Sequence, residues 1–350
     1  MFSESGLYKE DINYIAAYDI NWDKVRNSTI LITGATGLIG TVLVDSLMYR
    51  NKLHSTNVRV VVMSRSLENA QNHFKSYIDE DLFAIVECDI TKSFFVNEKV
   101  DYIVHLASNT HPALYANRPI ETIDTIVLGT KNILEFAAEH NVKRVINTSS
   151  VEVYGENRGD IDRFTEEYNG YINCNTLRAG YPEGKRLAES MCQAYINEKG
   201  IDVVSVRLGR IYGAPVRKTD TKSTTQFINN AVDNEDIILK SKGLQKFSYA
   251  YVADTVTAYL QLLANGQNGE AYNVAHDEIK TFVEVANILA NINGKQVKFE
   301  HPDSTIQKGG SSVQSALLDS KKICQLGWKA KYDLKSGLVR TVDILRSKNG

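Results

Sequence analysis

The chain has 350 residues, 43% of them hydrophobic, enough to bury a sizeable core in one large domain or two smaller ones. Forty basic against 42 acidic side chains leave a formal charge of −2, which excludes broad electrostatic attraction to nucleic acid or an anionic membrane. No stretch approaches about 18 unbroken apolar residues and no basic start precedes an apolar run at the amino terminus, so a cytoplasmic protein is expected. Cys88, Cys174, Cys192 and Cys324 are widely spaced, form neither a CxxC pair nor a dense framework, and read as buried free thiols.

Residues 1–27 precede the first strand as an extension in which "INWDKV" is expected to pack on the sheet's edge. The β-branched run 30–33 ends at glycine, and Leu38, Val42, Leu43, Ser46 and Leu47 then recur at helical spacing, which predicts strand, tight turn and helix. Further strands are predicted over 58–63, 84–86, 102–106, 145–148 and 203–208. A helix over 129–140 and another ending at Gly200 separate the later ones. Strands alternating with helices imply parallel pairing, hence an α/β doubly wound sheet, because a parallel connection needs a long crossover. Beyond Gly213 a polar loop runs into a short helix, and helices are predicted over 254–263, 281–292 and 334–346. These segments are too fragmentary for an independent core and predict a smaller lobe over one edge of the sheet.

Gly34, Gly37 and Gly40, spaced G-x-x-G-x-x-G at the end of the first strand, clear the approach of a pyrophosphate to the following helix's amino terminus, where unpaired N–H groups favour an anion. Ser64 and Arg65 end the second strand where a carboxylate would bind the ribose of NAD. A serine and a planar guanidinium suit the extra 2′-phosphate, so NADP is favoured over NAD, with a solvated loop charge as the alternative for Arg65. Asp89, ending the third strand, reads as an adenine contact or a turn cap, and Ala107 and Ser108 after the fourth permit close approach.

Ser149 and Ser150 end the fifth strand, and Tyr181 and Lys185 share one face of a later helix. An ammonium beside a phenol stabilises phenolate, making Tyr181 a candidate base with Ser150 holding the same substrate hydroxyl.

TGATGLIG, HLAS, SSVEVYG, YPEGK and RLGRIYGAP, in this order and spacing, resemble the extended short-chain dehydrogenase/reductase family of nucleotide-sugar epimerases, dehydratases and decarboxylases, over about residues 28–275. The stretch "RAGYPEGKRLAESMCQAY" is most similar to UDP-glucuronate decarboxylases. The resemblance implies a Rossmann-like sheet over 28–213 and 249–275, with a mixed carboxyl-terminal lobe over 214–248 and 276–350 that holds a nucleotide-diphosphate sugar. It also implies a homodimer built on the helices at 129–140 and 182–199. Gly34, Thr36, Gly37, Leu38, Ile39, Gly40, Ser64, Arg65, Asp89, Ile90, Leu106, Ala107, Ser108, Tyr181, Lys185 and Ile211 then line the NAD(P) site. Ser150, Tyr181 and Lys185 match the catalytic trio, and Glu152 matches a catalytic glutamate that handles a second proton, or pairs with a basic neighbour.

Departures are as informative. Val151 stands where 4,6-dehydratases keep an aspartic acid, which disfavours dehydration. Phe247 replaces an arginine before "YVAD", with Lys246 beside it, and Ile126 and Arg210 replace asparagines. Arg210 and Lys246 are thus candidates for the substrate's phosphates, Arg210 alternatively for a buried ion pair. The leading expectation is an enzyme that epimerises or decarboxylates a nucleotide sugar while regenerating its cofactor. A net reductase of a nucleotide-linked keto sugar and a non-catalytic dinucleotide sensor are the alternatives.

Overall fold

The computed structural model describes residues 4–109, 117–216, 218, 220–300 and 315–347. Strands β1 (Thr29–Thr33), β2 (Arg59–Ser64), β3 (Phe83–Glu87), β4 (Tyr102–His105), β5 (Arg144–Ser150), β6 (Val203–Leu208) and β11 (Ala271–Val274) form one parallel sheet in the order β11-β6-β5-β4-β1-β2-β3. The chain winds outward from β1 to β3, returns to β4 beside β1, and winds the other way. The crevice between the carboxyl ends of β1 and β4 is therefore the switch point, where such sheets place ligands.

The alternation read from the sequence becomes two apolar layers. Ile30, Ile32, Val60, Val62, Tyr102 and Val104 pack on one face with α2 (Leu38–His54) and α7 (Val252–Asn265). Leu31, Val61, Met63 and Ile103 pack on the other with α4 (Pro119–Glu139) and α5 (Gly180–Lys199). A short α3 (Leu67–His73), capped by the Ser66 hydroxyl, connects β2 to β3. Helix α4 begins ten residues before the predicted start, and α5 ends at Gly200 with φ +68°, the left-handed position anticipated.

The carboxyl-terminal part adds small sheets: β7 (Arg210–Tyr212) with β10 (Tyr249–Tyr251), β8 (Ile237–Leu239) with β13 (Val297–Phe299), and β9 (Lys246–Phe247) between β12 (Lys280–Thr281) and β14 (Ser315–Ala316). Helices α6 (Ser223–Val232), α8 (Phe282–Asn291), α9 (Lys321–Gln325) and α10 (Leu334–Ser347) complete it. Phe227, Ile228, Val285, Leu289 and Leu338 join the same apolar layer as Ile30 and Ile32, so this part shares the main core. The predicted loop after Gly213 lies partly outside the described residues.

The amino-terminal extension holds a helix that the sequence reading did not assign, α1 (Gly6–Ala16). Asp11 on α1 accepts from the Tyr251 hydroxyl at 2.5 Å, Arg340 Nε at 2.6 Å and the Tyr332 hydroxyl at 3.2 Å. Tyr8 donates to Asp45 of α2 at 2.6 Å. The "INWDKV" segment does not lie on the sheet's lateral edge: the carbonyl of Lys24 accepts from the Tyr102 hydroxyl of the central strand β4, and Lys24 Nζ donates to the Ala264 carbonyl at the end of α7. It meets the start of β4 through the Tyr102 bond, and its Trp22 is buried with the Arg50 guanidinium of α2 4.2 Å from its ring centroid.

Among the described residues no helix is long and apolar enough to cross a membrane, and no cluster of His, Cys, Asp or Glu could hold a metal ion. All four cysteines are free, but only Cys192 is buried: Cys88 is half-buried, and Cys174 and Cys324 are exposed, contrary to the expectation of buried thiols.

Candidate active site

The site begins at the switch point. Gly34 has φ +66°, and a Cβ there would lie 2.8 Å from the backbone nitrogen of Ala107. A Cβ on Gly40 would lie 2.6 Å from the Ala35 Cα. Only glycine lets the turn after β1 pass against the exit of β4, where Leu106 N donates to the Thr33 carbonyl and Ala107 N to the Thr33 hydroxyl. Gly37 caps α2 and is exposed, with Thr36, Leu38 and Ile39 half-buried around it. The first N–H groups of a helix have no intrahelical acceptor, and those of α2 follow directly on this turn, as an anion-binding turn requires.

Ser108 Oγ and Asn109 Nδ2 at the end of β4, and Ser149 Oγ at the end of β5, are buried with no hydrogen-bond partner among the described residues. Buried polar atoms left unpaired cost stability, and their gathering at the carboxyl ends of neighbouring strands fits a bound polar ligand. The glycine cradle and these orphaned groups together suit a dinucleotide.

At the outer end of the crevice Ser64 is half-buried and Arg65 exposed. Ser64 Oγ donates to the Ser66 carbonyl and accepts from Ser66 N, which locks the turn that throws Arg65 outward. Asp89 Oδ1 accepts from both the backbone and the hydroxyl of Thr91, the turn-capping role left open above, and these bonds hold its carboxyl below the usual range. Ile90 is buried beneath α4, and its carbonyl accepts from Asn132.

Tyr181 and Lys185 lie on the inner face of α5, both buried, with Lys185 Nζ 6.0 Å from the Tyr181 ring centroid. Lys185 donates to the Thr148 carbonyl of β5 at 2.7 Å. Burial pulls its pKa down to about 8, partly offset by Glu189 one turn along. Beneath it His105 is fully buried, and desolvation, then the Lys185 charge, hold its pKa at about 3. The Thr33 hydroxyl accepts from Ala107 N and shares a hydrogen bond of 2.8 Å with His105 Nδ1, while Nε2 lies 3.4 Å from the Thr130 hydroxyl. A neutral imidazole thus adds no charge against the ammonium. Ile126 packs with Tyr181 and Ala188, so the residue that stands for the resemblance's asparagine supplies an apolar wall to the phenol.

Ser150 ends β5, and its Oγ accepts from Glu152 N at 3.3 Å. The Glu152 carboxylate is bracketed by Arg178 Nη2, at 3.1 and 3.3 Å from its two oxygens. Sequence reading did not single out Arg178; its place three residues before Tyr181 was the available signal.

Arg210 begins β7, opposite Tyr249 of β10, and Ile211 follows opposite Ala250. Its guanidinium lies 3.4 Å from the Phe247 ring centroid and 5.9 Å from that of Phe282, with no carboxylate partner among the described residues. The structure therefore does not give Arg210 the buried ion pair considered above. Burial lowers its pKa, and both Glu152 and Arg178 are near enough to act on it. Phe247, read from the sequence only as a lost arginine, is the platform for this cation. Lys246 is exposed and alternates with Phe247 along β9, so it points away from that stack.

The model of the NAD dependent epimerase/dehydratase family matches residues 30–275. UDP-glucuronic acid decarboxylase 6 of Arabidopsis thaliana is 31% identical over 312 residues, covering 89% of this chain and 87% of that protein. UDP-glucuronic acid decarboxylase 1 of Xenopus tropicalis is 28% identical over 323 residues, covering 91% and 72%. Among solved structures, a UDP-glucose 4-epimerase from Thermotoga maritima with UDP-glucose superposes with TM-score 0.78 at 23% identity, covering 92% of this chain and all of that one (100%).

Proposed function

Since the chain belongs to the NAD dependent epimerase/dehydratase family, we propose that it modifies a nucleotide-diphosphate sugar by hydride exchange at a sugar carbon, recycling its cofactor within each turnover. The observation that carries this reading is the buried Tyr181–Lys185 pair at the carboxyl ends of the strands, beside the glycine cradle and the orphaned Ser108 and Ser149 hydroxyls. A bound nicotinamide supplies the hydride acceptor. Tyr181 moves the proton of the substrate hydroxyl, and the Lys185 ammonium favours its phenolate. Ser150 orients the same hydroxyl. Glu152, positioned by Arg178, handles a second proton next to the transient ketone, whose electron withdrawal acidifies the neighbouring C–H. Val151 has no proton to give a leaving hydroxyl, which favours epimerisation or decarboxylation over dehydration.

Gly34, Thr36, Gly37, Leu38, Ile39 and Gly40 hold the pyrophosphate in this reading, while Asp89 and Ile90 flank the adenine. Leu106, Ala107, Ser108 and Ile211 line the remainder of the cofactor, with NADP favoured over NAD because Arg65, not a carboxylate, follows β2. Arg210 binds an anionic group of the sugar nucleotide, and Lys246 serves only its outer edge. The relatives' names make a UDP-linked uronate the first substrate to try. The absence of a membrane-crossing helix among the described residues is compatible with a cytoplasmic location. Exposed Ile120, Ile123 and Leu128 on α4 and Leu187 on the adjoining α5 suit a homodimer, which light scattering on the purified protein tests.

The experiment is incubation of NADP- or NAD-loaded protein with UDP-glucuronate, UDP-glucose and dTDP-glucose, following product mass and nicotinamide absorbance. A changed sugar with no net absorbance change is expected. Stoichiometric loss of NAD(P)H absorbance, read in a parallel incubation with NADPH or NADH and a nucleotide-linked 4-keto sugar, would instead select the reductase, a reading that the rebuilt Arg210–Phe247 contact keeps in play. Tight dinucleotide binding with no reaction on any sugar would select the sensor.

A further inference from the structure

Arg65 belongs to a three-residue ion cluster that joins two separate elements. Arg65 Nη1, after β2, lies 3.3 Å from Glu121 Oε1, and Arg118 Nη1, before α4, lies 3.2 Å from Glu121 Oε2. Each carboxylate oxygen is thus taken by a different guanidinium, and both arginine side chains remain 66% exposed. Two guanidiniums converging on one carboxylate leave a net charge of +1 at the outer end of the crevice, beside Ser64.

We propose that Glu121 is an internal anion that occupies the place of the 2′-phosphate of NADP(H) between Arg65 and Arg118 and competes with it, and that this trio sets the choice of dinucleotide. The inference rests on the NADP reading above. A phosphate monoester carries about −1.5 to −2 charge and three acceptor oxygens, so it can engage both guanidiniums more fully than a carboxylate does. Exposed pairs like these contribute little to stability, so the phosphate displaces Glu121 at small cost. Removing the Glu121 charge then raises the trio from +1 to +2, while Asp89, near enough to Arg65 to feel its charge, is left as it is.

The test is calorimetric titration of the full-length protein with 2′,5′-ADP and with 5′-AMP at fixed ionic strength, using wild type, Glu121→Gln, Arg118→Gln and Arg65→Gln. Wild type binds 2′,5′-ADP more tightly. Glu121→Gln tightens 2′,5′-ADP by roughly three- to tenfold and Arg118→Gln weakens it by a similar factor, both leaving 5′-AMP unchanged. If Arg65→Gln weakens 2′,5′-ADP while Glu121→Gln leaves it unchanged or weakens it, the role of Glu121 is overturned and the NADP reading stands. If wild type shows no preference for 2′,5′-ADP and Arg65→Gln changes nothing, both fall. The two arginines are largely solvent-facing and Glu121 is partly so, and matching melting curves exclude misfolding as the cause.

Discussion

The Arg210 guanidinium stacks on the Phe247 ring at 3.4 Å with no carboxylate to neutralise it among the described residues. A cation lowered in pKa by burial and left unpaired destabilises the fold, and such a cost is retained where a ligand supplies the missing anion.

Arg210→Met keeps much of the apolar stem and removes the charge. Affinity for a UDP-sugar is expected to fall by roughly 10- to 100-fold, while thermal stability of the free protein rises by about 1 kcal/mol. Titration with the sugar nucleotide and a melting curve check the two signs together. Cofactor affinity changes little, since the glycine cradle lies on other elements and the neighbouring Ile211 is unaltered.

Lys185 gives a pH signature. Its folded pKa is about 8, below the usual lysine value of 10.5, so the folded protein releases this proton first. Between these values the unfolded chain binds more protons, and stability therefore rises with pH across that window and is flat below it for this group. Lys185→Met removes the rise. Denaturant unfolding of both proteins from pH 7 to pH 10 should show wild type gaining about 1–3 kcal/mol relative to the variant. Turnover of the variant falls by roughly 100-fold or more as the phenolate loses its counter-charge.

Asp11 ties α1 to β10 and α10 through Tyr251, Tyr332 and Arg340. Asp11→Ala leaves two phenols and a guanidinium without that acceptor, and is expected to cost about 2–4 kcal/mol in denaturant unfolding. A loss near zero would show that the extension is an appendage, not part of the core.

The sheet was legible because β-branched runs such as 58–63 alternate with helical spacing and because glycines mark the first turn. The first half of α4 was not: Ile120, Ile123 and Leu128 are apolar yet exposed, which blurs the one-sided pattern that a buried helix shows. Helix α1 was missed because Tyr8 and Asp11 bury polar groups where the pattern expects apolar ones. At the site, Tyr181 and Lys185 are four residues apart and could be paired on paper. Arg178 meets Glu152 across 26 positions, and Arg210 meets Phe247 across two strands. Such contacts depend on topology that local spacing does not encode.

The most direct measurement is single-turnover nicotinamide absorbance after mixing cofactor-loaded wild type or Tyr181→Phe with the sugar nucleotide that the panel selects. Wild type should show a transient reduced nicotinamide that decays as product forms, and the variant, which keeps the ring but lacks the proton, should show neither. A variant that forms product at the wild-type rate would contradict the account.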